Sequence, residues 1–138
     1  MVETELHQHV EAMRRFNRFY TKQIGVLHER LLRSPFSLTE GRVIYELAHH
    51  EKMTATELCN ELGLDAGYLS RILRHFKKRG LINKQLSQRD GRKNLLSLTG
   101  RGQEAFATIN ARSHNEIGAM LGDLSVADQK HLVRAMHT

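Results

Sequence analysis

The chain has 138 residues, 40% of them hydrophobic and 26% charged, which fits one folded domain and argues against disorder. A single cysteine excludes an intrachain disulfide framework, and no apolar run approaches the ~18 residues of a membrane span or has the form of a signal peptide. We therefore expect a cytoplasmic protein. The net charge is +6, and residues 65–93 hold nine of the 21 Lys/Arg but only two of the 15 Asp/Glu. The excess positive charge lies in this segment, as expected of a protein that binds a polyanion, although a solvated basic surface is an equal alternative.

The first predicted element is a long helix over residues 3–33. Its apolar residues recur at alternating steps of four and three, which produces a continuous apolar seam along one face. In so small a domain, a second copy of the chain is the natural cover for this seam. A buried Asn17 could fix the register of the pair, and contact with a neighbouring loop is the alternative. The dimerisation residues predicted here and on the last helix are Val10, Met13, Asn17, Tyr20, Leu132 and Met136.

Helix-capping patterns divide the middle of the chain. Residues 37–40 and 54–57 both follow the pattern Ser/Thr-x-x-Glu, which predicts the starts of a second and a third helix, the second ending near His50. Asp65 is a good N-cap for a fourth helix, which Gly80 should stop. Two short helices joined by a glycine-containing turn are typical of a helix-turn-helix.

The fourth predicted helix has one apolar and one basic face when its residues are placed at 100° steps. In a helix-turn-helix the second helix enters the major groove of DNA. Arg71 and Arg74 are expected to donate to guanine O6/N7 or to phosphate, with a plain solvated face as the alternative. The DNA-contacting residues predicted on this helix are Gly67, Tyr68, Ser70, Arg71, Arg74 and Lys78.

Two short strands are predicted next, over residues 81–87 and 94–98, joined by an Asp-Gly turn that favours a β-hairpin. A basic hairpin tip beside a helix-turn-helix could insert an arginine into the minor groove. Asp90 would be repelled by DNA and is expected to orient a neighbouring arginine. The tip residues predicted to contact DNA are Arg89, Arg92 and Lys93. Two helices follow, from Gly100 to about Leu121 and from Ser125 to the C-terminus.

Five short motifs occur at characteristic places in the middle of the chain. They are T-A-T-E-L at residues 54–58, L-S-R-I-L at residues 69–73, K-R-G-L-I at residues 78–82, D-G-R at residues 90–92 and L-T-G at residues 98–100. With these motifs, nearly the whole chain resembles the MarR family of bacterial winged-helix regulators. The resemblance implies a mainly α fold with a small β-hairpin wing.

The resemblance also implies an organisation and a function. It implies a winged helix-turn-helix lobe over about residues 37–99, with dimerisation helices over residues 1–34 and 100–138. It further implies a homodimer that binds a pseudo-palindromic operator in double-stranded DNA, usually as a repressor, with Arg92 as the wing arginine and Asp90 as the wing aspartate. A small-molecule effector could bind near Arg15, Tyr20 and Arg42, for which roles in the dimer interface or in salt bridges are the alternative.

Residues 15–21, 24–27 and 34–40, in and just after the first helix, are also similar to the MarR half of MarR–acetyltransferase fusions. An alternative function is therefore a regulatory or interaction module of such a fusion, whose catalytic domain is absent here. The sequence has no phosphate-binding loop or distinctive catalytic triad, so we expect no enzymatic activity and no cofactor. The nine histidines lack the spacing of metal ligands, so we expect no metal site.

Overall fold

The computed structural model describes the chain apart from residues 1, 32, 33, 89, 90 and 92, and apart from the side chains of residues 24–31. The chain divides into two compact units, Met1–Ser37 and Leu38–Thr138, and each is described by itself. The fold is mainly α with a small β-hairpin, as predicted from the sequence. Its elements in chain order are α1 (Val2–Leu31), α2 (Leu38–Ala48), α3 (Ala55–Leu62), α4 (Ala66–Lys78), β1 (Ile82–Leu86), β2 (Asn94–Leu98), α5 (Gly100–Gly122) and α6 (Val126–Met136).

The first unit consists mostly of α1, which spans 30 residues. Its apolar side chains are largely exposed: Leu6 by 61%, Met13 by 67% and Phe19 by 57%. The rings of Phe16 and Tyr20 stack one turn apart, with centroids 5.5 Å from each other. The helix matches the predicted one within two residues at each end, although positions 32 and 33 lie outside the described residues.

Helix α2 ends two residues earlier than predicted, at Ala48 rather than His50. At this end the backbone N–H of His49 donates to both Tyr45 O and Glu46 O at 3.2 Å, so the last turn tightens and the helix stops. The Nδ1 atom of His49 lies 2.8 Å from the carbonyl oxygen of Tyr45, and that of His50 lies 2.8 Å from the carbonyl oxygen of Glu46. In the tautomer that carries its proton on Nδ1, each ring adds a hydrogen bond to a carbonyl group of this turn.

The core of the second unit is formed by α2, α3, α4 and the hairpin. Burying one large apolar side chain stabilises a fold by roughly 1.5–3 kcal/mol, so this cluster supplies much of the stability of the unit. Helix α5 packs on α2 through Ile109, which is buried opposite Gly41. The largest fully buried side chains are Val43, Ile44, Leu47, Leu58, Leu69, Phe76 and Leu96.

Strands β1 and β2 pair antiparallel, with Ile82 opposite Leu98 and Leu86 opposite Asn94. A two-stranded hairpin is marginal alone, and here it is supported along β2. Met53, just before α3, forms a bridge with Leu96: Met53 N donates to Leu96 O at 3.0 Å, and Leu96 N donates to Met53 O at 2.6 Å. The hairpin is therefore anchored beside the helix-turn-helix.

The last two helices begin within one residue of their predicted starts, and a side chain caps each. Thr99 Oγ1 accepts from Gly102 N, and Ser125 Oγ accepts from Asp128 N, both at 3.1 Å. The amide of Gln129 closes the corner between α5 and α6 by donating to the carbonyl oxygens of Leu121 and Leu124. Among the helices that the structure describes, none is long and apolar enough to cross a membrane.

Candidate nucleic-acid interface

Helix α4 is capped at both ends, by a side chain at its start and by backbone hydrogen bonds at its end. At its start, Tyr68 N donates to Asp65 Oδ2 at 3.1 Å, which confirms the predicted N-cap. At its end, Gly80 adopts a left-handed φ of 74°, and Leu81 N donates to Phe76 O at 2.9 Å. This is a Schellman motif, which satisfies the carbonyls of the last turn. The helix therefore has a defined length and direction before any ligand binds.

The two faces of α4 separate as the periodicity predicts. Leu69, Ile72, Leu73 and Phe76 are buried in the core of the second unit. The opposite face carries only basic charges, because the helix contains no Asp or Glu. The residues predicted to contact DNA from this helix are all exposed: Gly67, Tyr68, Ser70, Arg71, Arg74 and Lys78.

Tyr68 and Gly67 influence the N-terminal half of this basic face. The guanidinium carbon of Arg71 lies 5.9 Å from the centroid of the Tyr68 ring, within the range of a cation–π contact. Gly67 is predicted to contact DNA, and it also leaves space for the N-cap, since a Cβ there would lie 3.1 Å from Asp65 Oδ2. Tyr68 and Gly67 thus help to arrange the N-terminal half of the basic face.

A groove of about 310 Å³ lies beside α4, between α3 and the hairpin. It brings together two predicted residues, Ser70 of α4 and Lys93 at the start of β2. It also contains Thr56 and Lys84, which the sequence analysis did not select. Lys84 belongs to the basic segment that the charge distribution indicated, but only the pairing of the strands shows that it lies on the same groove as Lys93.

The remaining hairpin residues are only partly described. Lys93 is exposed, and its carbonyl oxygen accepts from Ser87 N at 2.8 Å, which extends the hairpin beyond the two strands. Arg89, Asp90 and Arg92 lie outside the described residues, so their predicted roles stay predictions.

The predicted dimerisation and effector residues lie on three helices, α1, α2 and α6. Arg15 of α1 and Arg42 of α2 are exposed, as is Tyr20. Because α1 and α2 belong to different units, their joint role in an effector site also stays a prediction. No cluster of three or more metal-ligating side chains occurs among the described residues. The dimerisation residues Val10, Met13, Asn17, Tyr20 and Met136 are exposed, and Leu132 is half-buried.

Comparison with known proteins agrees with this arrangement. Residues 34–93, which include the helix-turn-helix and most of the hairpin, match a family model described as MarR family. The chain is also 33% identical over 94 residues to the organic hydroperoxide resistance transcriptional regulator of Bacillus subtilis. Residues 34–93 belong to the MarR family. The match to the Bacillus subtilis regulator covers 67% of this chain and 61% of that regulator, which is less than two thirds of its length.

Solved structures of two bacterial proteins share the fold. The structure of wild-type MarR from E. coli superposes with a TM-score of 0.79 and 19% identity, covering 90% of this chain and 93% of that one. A MepR mutant from S. aureus, solved bound to an oligodeoxyribonucleotide, has a TM-score of 0.66 and 15% identity over 88% of this chain and 90% of that one. At these identities the likeness establishes the MarR winged-helix fold.

Proposed function

We propose that the protein is a homodimeric, sequence-specific DNA-binding transcriptional regulator that acts as a repressor at a pseudo-palindromic operator. The observation that carries this proposal is the exposed face of α4, on which every charged side chain is basic and which lies opposite a buried apolar face. The MarR family match and the oligodeoxyribonucleotide-bound relative support it. Such a regulator works where bacterial DNA is, in the cytoplasm.

In this proposal α4 is the recognition helix. Its N-terminal half enters the major groove, where Arg71 and Arg74 donate to guanine O6/N7 or to adjacent phosphates. The contact of Arg71 with the Tyr68 ring limits the guanidinium to fewer orientations, which lowers the entropy cost of forming a bidentate bond. Ser70 and Lys78 bind the sugar-phosphate backbone and fix the register of the helix.

The groove beside α4 supplies further backbone contacts. Lys84 and Lys93 offer two ammonium groups there, and Thr56 adds a hydroxyl group, so a phosphate of the operator can bind along its edge. Beyond the groove, Arg92 and Arg89 of the hairpin tip reach the flanking minor groove, with Asp90 orienting one of them. Contacts to two grooves per lobe would set the register along the duplex.

The dimer is formed by the terminal helices. The exposed apolar side chains of α1, including Val10, Met13 and Tyr20, are covered by a second copy, together with Met136 of α6. Two recognition helices separated by one helical turn, roughly 34–36 Å, require a pseudo-palindromic operator. An effector that binds near Arg15, Tyr20 and Arg42 would release DNA by changing this spacing.

The experiment selects duplexes from sheared genomic DNA with the wild-type protein and measures their affinity by gel shift. We expect operator preference over competitor DNA and a slope of log affinity against log salt of about −7 to −9, as four to five phosphates per lobe would give. Arg71→Ala should cost roughly 1–3 kcal/mol and relax the preference at one base pair per half-site. Arg112→Ala on α5 removes the same charge outside the interface and is the control.

Two results would contradict the proposal. A wild-type protein that binds all duplexes equally would be a nonspecific nucleic-acid-binding protein. An Arg71→Ala variant that keeps the full discrimination of the wild type would show that Arg71 contacts no base.

A further inference from the structure

The recognition helix ends on a junction with α5. We define the α4–α5 junction as residues 79–81, which follow α4, and residues 99–102, which cap and begin α5. Within it the N–H groups of Gly80 and Leu81 donate back to Lys77 O and Phe76 O. The carbonyl groups of residues 79–81 are then directed away from α4 and need partners elsewhere.

Residues at the start of α5 provide those partners. Arg101 Nη1 donates to Arg79 O at 3.3 Å, and Thr99 Oγ1 donates to Gly80 O at 2.6 Å. Thr99 N donates to Leu81 O at 3.0 Å. Three successive carbonyl groups at the end of the recognition helix are thus bound by two residues of the next helix, which lie about twenty positions further along the chain.

Close packing reinforces these hydrogen bonds. An added Cβ at Gly102 would lie 2.2 Å from Leu81 O and 3.1 Å from Leu98 Cδ2, so only glycine allows the first turn of α5 to lie this near the chain after α4. Arg101 also borders the turn, since its Nη1 would lie 3.8 Å from a Cβ at Gly80. The junction has little space in which α4 could tilt.

We propose that Thr99 and Arg101 are positioning residues for DNA binding, which hold the recognition helix at a fixed angle to α5 without contacting DNA. The inference rests on the proposed function, in which α5 helps to form the dimer. Thr99 Oγ1 is already engaged, since it donates to Gly80 O and accepts from Gly102 N. The two residues therefore determine DNA affinity through the direction of α4.

Because α4 is long, a small change in its angle to α5 moves its N-terminal end by a large distance. Thirteen residues at a rise of about 1.5 Å each give a helix of roughly 20 Å, with its base-contacting end farthest from the junction. A tilt of about 10° at the junction moves that end by about 3.4 Å, which equals the rise of one base pair. Loss of the junction hydrogen bonds should therefore weaken sequence-specific binding, because two lobes of a dimer must fit the operator at once.

The test uses the full chain and the tightest duplex that the wild-type protein selects from a random 30-base-pair pool. Thr99→Val removes the hydroxyl group with little change of shape, and Arg101→Ala removes the guanidinium. Each should raise the Kd roughly three- to tenfold, the range expected for one lost hydrogen bond, with the salt slope of the wild type unchanged. Thr99→Ser keeps the hydroxyl group and should restore the affinity.

Matched controls on α5 distinguish the loss of the junction hydrogen bonds from a general loss of folding stability. Thr108→Val removes a hydroxyl group that donates to Glu104 O at 3.2 Å within α5, and Arg112→Ala removes an exposed charge. Both should leave the Kd within about twofold of the wild type, since neither residue belongs to the junction. All variants are measured well below their melting temperatures, with circular dichroism confirming that each is folded.

A measurement on the free protein tests the positioning role separately from the proposed function. Amide hydrogen exchange at Gly80 and Leu81 should become faster in Thr99→Val and Arg101→Ala and stay unchanged in the two controls. The positioning role would be overturned if amide exchange or the Kd stayed unchanged in the variants. It would also be overturned if the salt slope fell by about two per dimer in Arg101→Ala, because that result would show direct contact of Arg101 with phosphate. Failure of the wild type to bind any duplex, with faster exchange in the variants, would instead overturn the proposed function and, with it, the effect on DNA.

Discussion

Gly102 offers a quantitative test of how closely α5 approaches Leu81, the residue before β1. In Gly102→Ala the new methyl carbon would lie 2.2 Å from Leu81 O, about 1 Å closer than atoms of this kind tolerate. The obstacle is a backbone carbonyl that also accepts from Thr99 N at 3.0 Å, so it cannot rotate away as a side chain would. Overpacking of this kind costs about 1–3 kcal/mol, and we expect the upper end here.

Part of this cost is offset, because alanine is a better helix former than glycine by about 1 kcal/mol. The net loss in the free energy of unfolding should therefore be about 2 kcal/mol. With an m-value of about 2 kcal/mol per molar urea, the unfolding midpoint should fall by about 1 M. Both proteins are compared at one concentration, because the stability of a dimer depends on it.

Gly100→Ala is the matched control, two positions away on the same helix. A Cβ at Gly100 would meet nothing within 4 Å, so this variant should be as stable as the wild type or more stable by about 0.5 kcal/mol. If Gly102→Ala unfolded at the same urea concentration as Gly100→Ala, α5 would not approach Leu81 as closely as described.

Three further predictions concern caps, assembly and the wing. Asp65→Ala removes the N-cap of α4 and should lower the free energy of unfolding by about 1 kcal/mol in urea denaturation, whereas Asp65→Asn should retain most of it. Tyr20→Asp places a charge on the apolar face of α1 and should dissociate or unfold the dimer; light scattering that still gives a folded species of about twice 15.9 kDa would show that this face is misassigned. Arg92→Ala should weaken operator binding in a gel-shift titration without changing the circular dichroism spectrum, and unchanged affinity would refute a role for the wing arginine.

The parts of the fold that the sequence predicted are those determined by neighbours along the chain. The two faces of α4 follow from the 3.6-residue period, and its ends follow from Asp65 and Gly80. The hairpin follows from the Asp-Gly turn between two short apolar runs, and its observed strands lie within one residue of the predicted ones. In each case a side chain within a few positions decides the local conformation.

The features that sequence reasoning missed depend on residues distant along the chain. The bridge of Met53 to Leu96 is a single backbone pair with no alternating pattern to indicate it. The hydrogen bond from Arg101 to Arg79 O joins residues 22 positions apart, and Lys84 enters the groove only because β1 pairs with β2. Such contacts require the topology to be known first. The contacts of His49 and His50 at the end of α2 are different, since each ring binds a carbonyl group only four positions back along the chain.

The way in which the hairpin is held has a consequence for the segment at its tip. The bridge at Met53 and the burial of Leu96 hold β2 in place, and the Ser87–Lys93 pair extends the hairpin beyond the strands. We therefore expect the fold to keep its stability when residues 88–92 are exchanged for a segment of different length or composition. In the proposed function, exchange of this short segment alone would change the operator preference.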